Sequence, residues 1–386
     1  MWFGAVPGFL ASIELPAGPE KEAQVSKKLW VGLDVGEREM MVCVINADGM
    51  RVREEMIPAS TAALDMLLRP MRRGNIAVVA MEAGSTSIRL ARGLAHLKYD
   101  VAVFETRQLG TYLGIRQNKT DRNDARCIAE VARTGRGIVS EVLVKSSECQ
   151  RVRSLLAMRQ NFVRMRVSGE SGLRGLLHLY GGKLSHSSTA KMLRLHVSAE
   201  IARLKKEEKI DLREEADPML CVCEAMRLYL EGLSKKLAAM AKANPVCRLF
   251  MEIPGVGPLT ALSFYSAIDD PFRFARNEDV GPYLGLVPRV RQSGATVARL
   301  RISKMGNNLT RSHLTSAAKM HLGKKSKETR LKTWGLKIRE RRGSGKANVA
   351  VARKLAVLML AMWKRSASFD PDFGSPFSVE RSALSL

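Results

Sequence analysis

The chain has 386 residues, six cysteines and a formal net charge of +25. That length provides for two to three domains with real cores, and the charge points to a polyanionic partner. No run reaches the ~18 consecutive apolar residues of a spanning helix, and the cysteines form no CxxC pair, which argues against a membrane protein and a structural zinc module.

Residues 1–28 hold Pro7, Pro16 and Pro19 and lack a basic start before an apolar run, so they read as a floppy extension rather than a signal peptide. Residues 29–35 form a short apolar strand carrying Asp34. Strands at 40–45 and 51–57 follow, joined by the turn signal Asp48-Gly49. A helix at 61–68, a buried strand at 76–81 ending in Glu82, a helix at 86–97 and a strand at 100–104 come next. Three hairpin-linked strands followed by alternating helix and strand is the order of a ribonuclease-H-like α/β sheet. In that fold, acids from the first strand, the fourth strand and a late helix meet at one edge.

Such a helix begins in Lys119-Thr-Asp-Arg-Asn-Asp-Ala125 and runs to Arg133. Asp121 and Asp124, spaced i, i+3, fall on one face if they open it. Carboxylates so close repel unless a cation lies between them. An acidic surface pair is the ordinary alternative, but Asp34 and Glu82 upstream shift the balance toward metal. Four carboxylates there suit two Mg²⁺ (or Mn²⁺) ions that clamp both oxygens of a phosphoryl displacement.

Residues 147–242 are mostly helical by pattern, with breaks expected near Gly181-Gly182 and Asp217-Pro218. Met226, Leu230, Leu233, Leu237 and Met240 make a heptad seam, for either a helix pair within the chain or an intermolecular coiled coil. Ile253-Pro-Gly-Val-Gly-Pro-Leu-Thr-Ala261 has the spelling of a helix-hairpin-helix. Gly255 and Gly257 permit a tight turn, and the following helix offers free N–H groups to a phosphate. An ordinary Gly-rich turn is the alternative. Gly285-Leu-Val-Pro288 and Gln292-Ser293-Gly294 follow, with Arg289 and Arg291 close by; alone, Ser293-Gly294 reads as a loop. From Arg289 to Arg365 there are 21 Lys or Arg against only Glu328 and Glu340. Solubility asks for mixed signs, so this one-sided field points to nucleic acid, with Arg289, Arg291, Lys304, Arg311, Lys324, Lys325, Arg341 and Arg342 as contacts. Trp334 and Trp363 sit in basic helices, for base stacking or for packing. No histidine pair has ligand spacing.

Asp34, Glu82, Asp121 and Asp124 resemble the DEDD tetrad of RuvC-like transposases of the insertion-sequence one-ten family, kin of the Piv DNA invertases. The second half of the resemblance is Ile253–Ala261, Phe272-Arg-Phe274, Gly285–Pro288, Ser293-Gly294 and Ile302-Ser-Lys-Met-Gly-Asn307. The two blocks span roughly 29–136 and 251–319, somewhat under half the chain. The resemblance implies an extension (1–28), a RuvC-like domain (29–145), a helical coiled-coil region (146–245), a mostly α transposase domain (246–366) and a tail (367–386). It implies Mg²⁺-dependent cleavage and rejoining of DNA strands at a composite site, with Ser293 as nucleophile and Ser303 as its rival or a phosphate contact beside Lys304. It further implies a structured bridge RNA, a dimer or tetramer, and a cytoplasmic, nucleoid-associated protein. A site-specific invertase, a junction-resolving nuclease and a decayed DNA-binding protein are the competing readings.

Overall fold

The computed structural model describes residues 28–114, 120–293 and 296–372, with only the backbone described at 291–293 and 296–299. The expected extension up to residue 27, Lys119, Gly294 and the tail beyond Asp372 lie outside the described residues. A boundary between Val144 and Lys145 separates two compact units.

The first unit is built on strands β1 (Leu29–Val35), β2 (Glu39–Ile45), β3 (Arg51–Pro58), β4 (Ile76–Glu82) and β5 (Val101–Phe104), in sheet order β3-β2-β1-β4-β5. β2 is antiparallel to both neighbours, while β1, β4 and β5 are parallel. The β2–β3 turn is closed by the Asn46 side chain, whose Oδ1 accepts from the Asp48 and Met50 amides. Gly49 takes the positive φ (+78°) that this turn needs. The parallel links require crossovers, supplied in part by helices α1 (Thr61–Leu68) and α2 (Ser85–His96).

Period-2 alternation sorts the side chains of the sheet. Val31 and Leu33 of β1 and Val79 and Met81 of β4 pack in one core with Leu64, Leu68, Leu90 and Leu94 of α1 and α2. Val78 and Ala80 turn the other way, against Cys127, Ile128 and Val131 of α4 (Asp121–Thr134). The sequence did not announce α3 (Thr106–Leu113), because it is only eight residues long and its apolar stripe is limited to Leu109, Tyr112 and Leu113.

The second unit opens with α5 (Ser147–Leu179), α6 (Ala190–Glu207) and α7 (Arg213–Ala243). α5 and α7 run antiparallel: Arg159 donates to Ser234 (3.1 Å), Arg227 pairs with Glu170 (2.7 Å), and Gly169 faces Cys223. The heptad seam on α7 is covered by this hairpin, since Leu237 shares a core with Val152 and Leu156 of α5. Pro218 lies inside α7 rather than at a break. It stands in the second turn, where it forfeits one backbone bond, while buried Ala216, Leu220 and Cys223 carry the helix through. The chain breaks instead at 208–212.

The remainder comprises α8 (Pro245–Met251), α9 (Pro258–Ile268), α10 (Val280–Tyr283), the hairpin β6 (Pro288–Ser293) and β7 (Thr296–Ile302), then α11 (Asn308–His321), α12 (Arg330–Arg342) and α13 (Ser344–Arg365). Phe250, Phe264, Leu355 and Met359 lie in its core. Trp363 stacks on Tyr265 (5.2 Å between centroids) and meets Phe250 edge-on, so this tryptophan serves packing. Among the described residues no helix is long and apolar enough to cross a membrane.

Candidate functional site

The register of the sheet places the first two acids side by side. Leu33 of β1 is opposite Met81 of β4. Asp34 and Glu82 are therefore the next residues along two parallel strands, whose axes lie about 4.8 Å apart. Asp34 follows Gly32 by two, and Glu82 follows Ala80 by two, so both fall on the face that α4 covers. Met41, the cross-strand partner of Asp34, packs with Ala125 and Ala129 on that same face.

Helix α4 brings the other two acids. Thr120 caps it, its Oγ1 accepting from the Asn123 amide at 3.3 Å. Asp121 and Asp124 occupy the first turn, where the helix dipole favours carboxylates. Asp121 is exposed, and Asp124 is 9 % exposed. The backbone of α4 rests directly on Gly32, two residues before Asp34. Gly32 stands in no sequence motif, although a glycine inside a strand is itself a signal of close backbone approach. All four acids thus stand on one face of the sheet, toward the C-terminal ends of β1 and β4. Among the described residues no three His, Cys, Asp or Glu side chains are arranged to hold a metal ion as they stand. The donor set itself is all carboxylate oxygen, the chemistry of a hard divalent cation such as Mg²⁺ or Mn²⁺.

In the second unit, Ser293 ends β6 and pairs through its backbone with Thr296 of β7. Its side chain, like that of Arg291, lies outside the described atoms. The root of this hairpin is locked by two sequence motifs that meet. Gly285 (φ +68°) and Gly306 (φ +76°) each face backbone: a Cβ on the first would lie 2.2 Å from Met305 O, and one on the second 2.1 Å from Tyr283 O. The Ser303 amide donates to Val287 O (2.8 Å) and the Lys304 amide to Gly285 O (3.2 Å). Arg311 is 7 % exposed, and its guanidinium donates to Leu284 O, Met305 O and Asn308 Oδ1. Arg311 is therefore engaged within the chain, holding the same root. Ser303 Oγ accepts weakly from the Met305 amide at 3.4 Å.

The glycine motif does form a short turn between α8 and α9. Gly255 (φ +89°) packs on α11, where a Cβ would lie 2.7 Å from Ala317 O, whereas Gly257 caps α9 with no atom within 4 Å of an added Cβ. Arg289, Lys304, Lys324, Lys325, Arg341 and Arg342 are all exposed. Lys332, by contrast, is 3 % exposed, bonded to Ser326 O and Glu328.

Comparison with known proteins follows the same two blocks. A family profile described as "Transposase", that of DEDD transposases of the IS110 type, matches residues 31–181. A second, "Transposase IS116/IS110/IS902 family", matches residues 247–333. The chain is 31 % identical to the transposase for insertion sequence element IS1111A of Coxiella burnetii, over 88 % of this chain and 90 % of that protein. It is 26 % identical to a probable family 20 transposase of Pseudomonas aeruginosa, over 76 % and 86 % respectively. It is 24 % identical to the transposase for insertion sequence element IS1328 of Yersinia enterocolitica, over 72 % and 81 %. With its acids in the order and on the face described, and with relatives matched along most of its length, the chain belongs to the IS110 family of insertion-sequence transposases.

Proposed function

We propose that this transposase cleaves and rejoins DNA strands in a Mg²⁺-dependent reaction, with Ser293 as nucleophile. The observation that carries the reading is the placement of Asp34, Glu82, Asp121 and Asp124 on one face and at one end of the sheet. The strand order β3-β2-β1-β4-β5, with β2 alone reversed, supports a RuvC-like assignment of this unit.

The four carboxylates would hold the ions, which when bound supply Lewis acidity toward the phosphate. This chain's own contribution is the nucleophile and its mounting. The Ser293 Oγ forms a bond to phosphorus, and the bond from phosphorus to the adjoining strand oxygen breaks. That oxygen departs as a hydroxyl, its gained proton balancing the one Oγ loses. Rejoining reverses these steps with a different strand end, so no external energy source is required. The interlocked Gly285 and Gly306 fix the root of the strand on which Ser293 stands, and a rigid mounting lowers the cost of orienting a nucleophile. Joining two duplexes asks for more than one subunit. A structured guide RNA is part of the reading by family membership, and the basic surface of residues 289–365 suits either polyanion.

The test is trapping on a nicked suicide DNA substrate in Mg²⁺. A covalent adduct that maps to Ser293 and vanishes in Ser293→Ala is the expected result. An adduct that persists in that variant, or maps to Ser303, overturns the assignment.

A further inference from the structure

A trough of about 310 Å³ opens between α11 and α13 beside the end of β7. Asn308, Ser312, Thr315, Ser316 and Lys319 of α11 form one wall, and Asn348 of α13 stands in the other. Among the described residues no acidic side chain lines it. The position follows from the helix period: 308, 312, 316 and 319 lie at steps of four, four and three, so they share one face.

The chemistry of this wall is that of a donor row. Asn308 spends its carbonyl oxygen on Arg311 Nη2 (2.9 Å), so what its amide has to offer a ligand is its N–H donors. Ser312 and Ser316 are exposed hydroxyls, and Lys319 adds a charge at the far end. Thr315 donates to Arg311 O (2.8 Å), which braces the row. The eleven residue steps from Asn308 to Lys319 rise roughly 16 Å. Successive phosphates of one winding strand lie farther apart than the about 3.4 Å rise along a duplex axis, so the row spans roughly two or three of them.

We propose that this trough holds the sugar–phosphate backbone of one nucleic acid strand, without reading its bases. Neutral hydroxyl and amide donors with few cations suit backbone contact, which fixes position and carries no sequence information. Arg311 acts here as a positioning residue, since its buried guanidinium holds Asn308 and the root of the β6–β7 hairpin together. The proposal rests on the transposase reading for the existence of a nucleic acid partner, though not for strand cleavage.

The experiment uses the full chain and two probes, a short mixed-sequence DNA duplex and a single-stranded RNA of the same sequence. Binding is followed by fluorescence anisotropy across a salt series. Ser316→Glu places a carboxylate in the trough, and Ala239→Glu adds the same charge to an exposed position on α7. Ser316→Glu should weaken binding of one probe by roughly tenfold more than Ala239→Glu does. Lys319→Gln should flatten the logarithmic salt slope by about 0.9 for the duplex or about 0.7 for the single strand. The probe that responds identifies the occupant. Equal effects of the two glutamates, together with an unchanged slope in Lys319→Gln, would overturn the proposal. Should Ser316→Glu melt early, the Lys319→Gln slope decides alone. Normal binding by both trough variants, alongside cleavage lost in Asp34→Asn, removes the trough and leaves the transposase reading. Weakened binding in a protein that never cleaves does the reverse.

Discussion

Gly32 of β1 and Ala125 of α4 are in backbone contact: a Cβ on Gly32 would lie 2.1 Å from the Ala125 carbonyl oxygen and 2.4 Å from the Ala129 amide nitrogen. Neither neighbour is a flexible side chain, so the helix itself would have to move. The helix that would move carries Asp121 and Asp124, and the strand it would leave carries Asp34.

Gly32→Ala is therefore expected to cost about 1–3 kcal/mol, the range of an overpacked core, when measured by denaturant unfolding. It should also weaken Mn²⁺ binding in calorimetry, although it removes no carboxylate. Gly110→Ala, inside α3 where nothing lies within 4 Å of the added methyl, is the control: it should leave Mn²⁺ binding unchanged and stabilise the fold by about 0.5–1 kcal/mol through helix propensity. Equal behaviour of the two alanines would show that the contact does not set the acids' positions.

The first unit was legible in the sequence to a large degree, because its signals are local. Apolar runs at Leu29–Val35 and Ile76–Glu82, the Asp48-Gly49 turn and the Thr120-capped acidic turn each report their own conformation. What the residues could not reveal is which groups meet across long separations. The seam on α7 reads the same whether its partner is α5 or a second chain, since heptad spacing encodes a face and not an owner. Arg311 looked like a phosphate contact by charge alone, yet burial against Leu284 O and Met305 O gives it a bracing role. The β6–β7 hairpin carried a strand signal that went unread: in Arg289-Val-Arg291 and Ala298-Arg-Leu-Arg-Ile302 the arginines alternate with apolar residues, yet the segment stands out by its charge. Pro218 misled for a related reason, since a proline early in a helix costs less than one in its middle.

Replacing Asp34 or Asp124 by asparagine keeps the shape and deletes one charge. Each variant should lose strand cleavage by on the order of a hundredfold or more, the scale seen when one electrostatic stabiliser of a transition state is removed. Thermal unfolding of the metal-free protein should change little, and Mn²⁺ titration should show weaker or fewer sites. Normal recombination rates in both variants would dismiss the carboxylate site.

Acid should loosen the second unit through two histidines on α11. His321 is fully buried; its Nδ1–H donates to Pro254 O (2.7 Å), and the Thr329 hydroxyl donates to Nε2 (3.0 Å). Burial holds its pKa below the ordinary value, and burial with Arg159 nearby lowers that of His313 from 6.5 to about 4. Each ring stays neutral in the folded chain and takes a proton once unfolded, so the unfolded state binds more protons in this window. Stability should be full above pH 6.5 and fall progressively as pH drops toward about 4. His313→Gln should flatten that decline without abolishing it, because His321 still contributes. A melting temperature independent of pH across the window would contradict this account.

The exposed cations of the C-terminal segment should separate cleanly from buried Lys332. Lys324 and Lys325 lie in the loop after α11, and Arg341 and Arg342 end α12; all four are exposed. Lys332 is 3 % exposed, and its ammonium is bonded to Ser326 O and Glu328. Replacing the four exposed cations by alanine should weaken binding to every duplex alike and flatten the salt slope by about 0.9 for each phosphate left without its cation. Lys332→Ala should leave the slope unchanged and instead destabilise the fold by about 1–3 kcal/mol, since it strips a buried bond from Ser326 O. The opposite pattern, with Lys332 controlling the slope and the exposed four controlling stability, would mean that the polyanion enters by a different surface.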